Sequence, residues 1–384
     1  MITIIFKAIE KCNSNCIYCE VIAKRQNVVM EYDLLKTTLQ RINDYLLKYP
    51  KEQINIIWHG GEVCLLGSKY FVKVIEFLVK YCKTTKERIT HAVQSNLTLI
   101  NQDIIDAFKV LGMKTVGTSY EFIPHIRGFG KNRDSAAYHK QFFEGVNLLE
   151  QNRMSWGAIY VVHKQSLKNP LDVFYMLTNL NVANAPKINK IYFYGEEKHN
   201  LAITGREYAD FLGTILPVWW NNKERYRHIA PFSQFYESYL HKTTRMDCEL
   251  AGKCAYQWIY IGPTGKVSHC GHAGDSEILP YGNIQTHTFE QLLTHPLRDD
   301  IKNRVAILKN GACKDCRFWT VCHGGCPVDA LLLYKNVNAK ASHCEWVKPF
   351  LSEYFEPITG LRFDEVISPP PAGELKGWKI VVSD

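Results

Sequence analysis

Three cysteines fall within eight residues, Cys12-Asn-Ser-Asn-Cys16-Ile-Tyr-Cys19, in a chain of 384 residues. Three thiolates on one short loop suit three irons of a cubane and leave the fourth iron without a protein ligand. A three-cysteine zinc site completed from elsewhere, or a buried reduced trio, are the alternatives, although gaps of three and then two residues are unusual for zinc. Eight more cysteines, Cys248, Cys254, Cys270, Cys313, Cys316, Cys322, Cys326 and Cys344, crowd the last third of the chain, enough for two four-cysteine iron-sulfur or zinc sites. The total of 13 is odd, and the cytosol keeps thiols reduced, so metal binding is a better reading than disulfides. Cys64 and Cys82 are left over, and Cys82, closing an apolar helical stretch, reads as a small buried hydrophobe. The segment Trp58-His59-Gly60-Gly61-Glu62 joins two glycines, which let a backbone approach a ligand closely, to a carboxylate that can accept from a cationic ammonium group.

The elements that must position these groups follow from periodicity. Short β-rich runs at 2–9, 54–58, 89–94, 114–119, 156–162 and 188–194 alternate with helical periods at 33–48, 68–82, 101–111, 135–152, 168–180 and 204–222. Asp33, Ser68, Asn101 and Thr204 are the expected helix N-caps. Six βα units predict an α/β fold, an incomplete (β/α)6 relative of the TIM barrel, which places ligands at the C-terminal ends of its strands. The cysteine trio follows strand one and Gly60-Gly61-Glu62 follows strand two, both at such ends. Gln94, Asn96 and Ser119 end strands three and four, where they serve a ligand or merely cap a loop. After residue 245 cysteines cluster among glycines and short turns, with helical period mainly at 286–308. The expected division is a barrel at 1–222, a bridging region at 223–247, a small metal-organised domain at 248–350 and a tail at 351–384 that contains a Pro-rich stretch at 368–371. The aromatic run 192–196 lines a cleft or forms a buried strand.

Composition bounds the partners. At 46% hydrophobic and 12% aromatic the chain can build a sizeable core. A net charge of +8 is spread without a dense basic block, so nucleic acid is not indicated. No apolar run approaches a membrane span and no signal peptide opens the chain, so a cytoplasmic protein is expected.

Together, the two strand-end motifs resemble those of the radical S-adenosylmethionine (SAM) superfamily, whose members share CxxxCxxC and a Gly-Gly-Glu segment on a partial barrel. The resemblance implies a [4Fe-4S] cluster on Cys12, Cys16 and Cys19 whose open iron chelates SAM. It implies Tyr18 beside adenine, and SAM contacts from Gly60, Gly61, Glu62, Gln94, Asn96 and Ser119, with Arg127 and Arg133 as candidates for the SAM carboxylate. A proline usually follows the glutamate, whereas this chain has Val63-Cys64, a departure that touches the turn. The run Cys313-x2-Cys316-x5-Cys322-x3-Cys326, with Gly265 before Cys270 and a distant Cys344, resembles the SPASM iron-sulfur domain. That likeness implies one auxiliary cluster on Cys248, Cys254, Cys270 and Cys326 and another on Cys313, Cys316, Cys322 and Cys344, three [4Fe-4S] clusters in all. Interleaved wiring would stitch distant segments of a small domain together. Fully ligated clusters would serve electron transfer or structure.

The whole pattern is similar to anaerobic sulfatase-maturating enzymes and to SPASM maturases of ribosomally made, post-translationally modified peptides. It implies a 5'-deoxyadenosyl radical that removes hydrogen from an unactivated carbon. The sulfatase-maturating relatives carry an aspartate directly after the third SPASM cysteine, a position held here by Gly271. His269, His272 and Asp275 are the nearby candidates for a base. The expected activity is therefore cross-link or ring formation (C-C, ether, thioether or cyclopropane) in a precursor peptide. Oxidation of Ser or Cys to formylglycine, or dehydrogenation of a small molecule, are the alternatives. The expected partners are that peptide, an electron donor such as flavodoxin or ferredoxin and, since strand one starts at residue 2, a separate leader-binding protein unless the barrel mouth or SPASM surface does that work.

Overall fold

The computed structural model of the chain describes residues 1–19, 27–180, 186–192 and 200–365. Six parallel strands alternate with helices: β1 (Ile2–Ile9), α1 (Tyr32–Lys48), β2 (Ile54–Gly60), α2 (Gly67–Tyr81), β3 (Ile89–Gln94), α3 (Gln102–Val110), β4 (Thr115–Ser119), α4 (Ser135–Gln151), β5 (Ser155–Val162), α5 (Pro170–Asn179), β6 (Lys187–Lys190) and α6 (Gly205–Asn221). They pair in the order 6-5-4-3-2-1, an unclosed parallel barrel. Burial alternates strictly along β2 and β5, with the buried residues packed under the helices and the half-buried ones turned to the lumen. Register places Phe6 beside Trp58 and Trp58 beside Val93, all on the helix-covered face. The next residues, Lys7 beside His59 and Gln94 beside Gly117, therefore share the lumen at the strand ends. A Cβ on Gly117 would stand 2.2 Å from Gln94 Oε1, so glycine is what lets that amide lie across β4.

Strand and helix boundaries fall within a few residues of the sequence expectation, with three local corrections. Asn101 and Thr204 cap α3 and α6, accepting from Ile104 N and Glu207 N. Asp33 and Ser68 do not cap: each lies inside the first turn of its helix, because α1 starts at Tyr32 and α2 at Gly67. The sixth strand pairs only through Lys190, and residues 193–196 of the aromatic run, like the Pro-rich 368–371, lie outside the described residues.

The remaining chain builds α7 (Phe232–Leu240), α8 (Cys254–Gln257), β7 (Trp258–Ile261), β8 (Lys266–Ser268), α9 (Gly271–Asp275), β9 (Pro280–Asn283), α10 (Phe289–Leu293), α11 (Pro296–Asn310), α12 (Trp319–Cys322), α13 (Pro327–Tyr334) and α14 (Cys344–Pro349). Strand β7 adds in parallel to the free edge of β1, and β8 and β9 follow antiparallel, so one nine-stranded sheet runs through both parts. Helix α14 continues through Phe350–Phe355 and Glu356–Thr359. Phe235 of α7 packs against Phe350, Phe355 and Phe363, which ties this end of the chain to the bridging region. No helix among the described residues is long and apolar enough to cross a membrane.

The last helix packs tightly on α6. A Cβ on Gly213 would meet the Tyr354 ring at 2.4 Å, and the Tyr354 hydroxyl donates to Asp210 Oδ1 at 2.8 Å. Gly213→Ala should therefore destabilise the fold by about 1–3 kcal/mol through overpacking. An unchanged urea midpoint would show that the ring yields freely.

Candidate active site at the strand ends

The cysteine loop is held by backbone approach. Gly61 N donates to Ile9 O at 3.0 Å and Glu62 N to Lys11 O at 2.9 Å, so the end of β2 is laced to the chain leading into Cys12. A Cβ on Gly60 would stand 2.2 Å from Ile9 O, and one on Gly61 2.2 Å from Lys11 O. Gly60 also has φ +155, a region few other residues enter. On the other side Asn15 N donates to Gly128 O and Ile17 N to Ile126 O, and Arg133 Nε donates to Asn15 O.

Glu62 is 1% exposed and organises the next strand end. Its Oε1 accepts from Cys64 N at 2.9 Å and Ser95 Oγ at 2.7 Å, and its Oε2 from Asn96 N at 2.7 Å. Burial outweighs these donors and pushes its carboxyl up. Asn96 passes the order on, donating to Asn13 Oδ1 at 2.9 Å and approaching Ser14 Oγ at 3.5 Å. Ser14 Oγ sits between Cys12 Sγ at 3.4 Å and Cys16 Sγ at 3.6 Å.

Tyr18 and Arg127 belong to a second buried unit. Arg127 forms an ion pair with the fully buried Glu121 and donates to the Tyr18 hydroxyl, which in turn donates to Glu121 Oε2 at 2.8 Å. Glu121 Oε1 accepts from Val161 N of β5 at 3.0 Å, and Arg127 Nη1 reaches Cys16 Sγ at 3.6 Å. The charge of Arg127 is thus matched by Glu121. Ser119 lies 3.5 Å from Gln94 Nε2 across the lumen.

Three base candidates lie around α9. His269 is sealed at 1% exposure with Nδ1 2.9 Å from the Tyr281 hydroxyl, and burial brings its pKa down to about 3. His272 meets the Tyr192 ring edge-on at 6.2 Å between centroids. Asp275 pairs with Lys7, which is 2% exposed on the lumen face of β1, and both line a cavity of about 570 Å³ together with Glu10 and Tyr260. His59 faces the same charges, and burial first, then Lys7, lowers its pKa to about 4. Sequence reasoning missed Lys7, His59 and Glu121. A lysine within a strand buried along almost its whole length was the available signal for Lys7, while Glu121, although Arg127 lies near it in sequence, joins Tyr18 and Val161, which are 103 and 40 residues away.

The thiols gather into groups. Cys12 and Cys16 flank Ser14, and burial pushes the Cys12 thiol up to about 12. Cys248, Cys254, Cys270 and Cys326 pack together around Ala255, Ala273 and Val328. Cys313, Cys316, Cys322 and Cys344 line a cavity of about 450 Å³. Among the described residues no three His, Cys, Asp or Glu side chains converge closely enough for a single ion, whereas a cubane takes each thiolate at a separate corner. Buried thiols lose their protons only to a group that takes up the charge, so the donor sets fit iron-sulfur clusters.

Comparison with known proteins agrees with this architecture. Residues 7–175 match the Radical SAM superfamily model and residues 248–317 the SPASM iron-sulfur cluster-binding domain. The chain is 23% identical over 342 residues to a serine-type anaerobic sulfatase-maturating enzyme of Bacteroides thetaiotaomicron, covering 82% of this chain and 80% of that one. It is 21% identical over 373 residues to a cysteine-type enzyme of Clostridium novyi, covering 92% and 94%. Its fold superposes on the solved structure of native anSMEcpe with bound AdoMet at a TM-score of 0.78 and 20% identity, covering 94% and 98%. Streptococcus suis SuiB bound to precursor peptide SuiA gives a TM-score of 0.56 at 16% identity, covering 89% and 75%.

The Glu121–Arg127 pair generates a test of how the loop is held. Glu121→Ala leaves a buried guanidinium uncompensated and should cost about 3–5 kcal/mol. Urea unfolding reads that loss, and iron bound by a variant lacking the eight later cysteines should fall with it. Wild-type stability and iron would refute the role given to the pair.

Proposed function

The chain belongs to the radical SAM superfamily and carries a SPASM domain, and from that premise we propose that it is a peptide maturase forming a cross-link or ring at an unactivated carbon. Cys12, Cys16 and Cys19 would hold the SAM-binding cluster, and the two later quartets two auxiliary clusters. When bound, the first cluster supplies the electron that splits SAM into methionine and a 5'-deoxyadenosyl radical, which takes a hydrogen atom from the substrate.

The protein's share is binding, orientation and proton movement. Glu62 is a buried carboxyl that accepts from the neutral donors Cys64 N and Ser95 Oγ at Oε1 and Asn96 N at Oε2. An ammonium group of SAM would relieve the cost of its burial. Tyr18, Gln94, Asn96 and Ser119 border the same strand ends. Both arginines are engaged, Arg133 with the loop carbonyl of Asn15 and Arg127 with Glu121 and Tyr18; Arg127 also reaches Cys16 Sγ of the trio, and on that ground it is the proposed contact for the SAM carboxylate. After hydrogen abstraction the substrate radical must lose one electron and one proton as its new bond forms. Asp275, at the cavity wall against Lys7, would take the proton, and the two cysteine quartets would hold the clusters that could supply the electron acceptor.

The observation that carries this reading over formylglycine formation is Gly271, where the sulfatase-maturating pattern has aspartate. The acid on this chain stands one helical turn later and is paired with Lys7. Similarity to sulfatase-maturating enzymes over most of both chains favours the second reading, oxidation of Ser or Cys to an aldehyde. The peptide is the proposed partner in either case, with a flavodoxin or ferredoxin as electron donor and a separate protein for leader binding.

Co-expression with a short peptide encoded beside the enzyme should yield a product lighter by two hydrogens that resists fragmentation between the joined residues. A product that reacts with a hydrazide probe would establish the aldehyde reading, and no loss of hydrogen would reject both. Asp275→Asn should lower product by about 10²-fold while 5'-deoxyadenosine still forms. Equal loss of both would remove Asp275 from the proton step.

A further inference from the structure

Between the two cysteine quartets lies a buried cation with no acidic partner. Arg304 of α11 is 2% exposed. Its Nε donates to Val337 O at 2.6 Å, Nη1 to Gly325 O at 2.9 Å and His323 O at 3.5 Å, and Nη2 to Gly324 O at 2.7 Å and Ala339 O at 2.9 Å. All five contacts are to main-chain carbonyls, and no Asp or Glu pairs with it among the described residues. A guanidinium buried in this way keeps its hydrogen bonds but carries an uncompensated charge, which costs several kcal/mol. Burial lowers its pKa, opposed by Cys326 and Cys254 of one quartet and Cys322 and Cys313 of the other, which favour its charge.

The carbonyls of 323, 324 and 325 belong to the short link between Cys322 and Cys326, one cysteine from each quartet. His323, Gly324 and Gly325 are all left-handed, at φ +50, +79 and +72. Three successive residues in that region direct their carbonyls onto one guanidinium. A second buried arginine differs in reach: Arg298 donates to Trp258 O at 2.9 Å, and its charge is favoured chiefly by Tyr281 and Cys254.

We propose that Arg304 is a positioning residue shared by both auxiliary sites, its positive charge raising the reduction potential of the clusters held by the two quartets. This rests on the reading that each quartet holds a [4Fe-4S] cluster. Such a cluster with four thiolates is doubly negative when oxidised and triply negative when reduced, so a nearby buried cation favours the added electron. One charge within reach of both quartets moves both potentials together, whereas Arg298 acts on the inner one alone.

The test is an EPR-monitored potentiometric titration of the full chain in a Cys12→Ala, Cys16→Ala, Cys19→Ala background, where only auxiliary signals remain. In Arg304→Gln with full iron, the ratio of reduced to oxidised cluster at the parent midpoint should fall about tenfold for both clusters, a shift of ~59 mV to more negative potential. Arg298→Gln should move only one. Unchanged potentials in iron-replete Arg304→Gln would overturn the proposal. If that variant loses iron, Arg304→Lys decides, because it keeps the charge and loses the fork: retained iron supports the electrostatic role, and equal loss leaves a structural role only. Fewer than two auxiliary clusters in the parent, counted by iron and Mössbauer analysis, would refute the cluster reading itself.

Discussion

Strand β1 is paired on both edges, and the site depends on that. Its residues Ile2–Ile9 run parallel to β2 on one side and to β7 on the other. An open barrel normally leaves such an edge as a row of unpaired backbone groups. Here the edge is filled by the second domain, so the two parts share one sheet and the position of one dictates that of the other. The C-terminal end of β1 leads directly to Cys12, and its lumen face carries Lys7. Because Ile5 pairs with Tyr260 and Gly271 lies over Ile5, α9 is brought above the lumen next to the strand ends.

Charges inside this assembly are each stabilised in a different way. Arg127 has a carboxylate, Glu121, and a phenol, Tyr18. Lys7 has Asp275, contributed from 268 residues away, which makes the ion pair a strut between the barrel and the second domain. Arg304 has carbonyls and thiols only. Buried pairs of this kind contribute little net stability but penalise any arrangement that separates them. They therefore fix geometry more than they add to folding energy, which suits a site that must hold reacting atoms closely.

Much of the site was legible because its ligands are close in sequence. Cys12, Cys16 and Cys19 lie on one loop, and Gly60-Gly61-Glu62 on the next, so both motifs stood out in the sequence, and the resemblance they carry supplied the roles expected of them. Long parallel strands were equally visible, since β2 and β5 alternate with a period of two and β1 is an almost continuously buried run. The strands β7, β8 and β9 were not anticipated. They span four, three and four residues, too few for a period of two to register. Asp33 and Ser68 misled because a polar residue before an apolar run reads as a cap whichever residue starts the helix. Lys7 and Arg304 were hidden for a different reason: their partners are distant in sequence, and a lone charge has a meaning only once the fold brings its counterpart alongside; Glu121 shares this in part, since Tyr18 and Val161 are as remote as Arg127 is near.

The change at Gly271 shows how local chemistry and domain placement combine. A side chain at this position would point at Ile5, since an added Cβ comes within 3.4 Å of Ile5 Cγ2. The acid at Asp275, one turn along α9, meets the sheet at Lys7. The carboxylate has in effect moved along the helix by one turn and acquired a buried cationic partner. Asp275 so placed faces a cavity bounded by β1, β7 and β8.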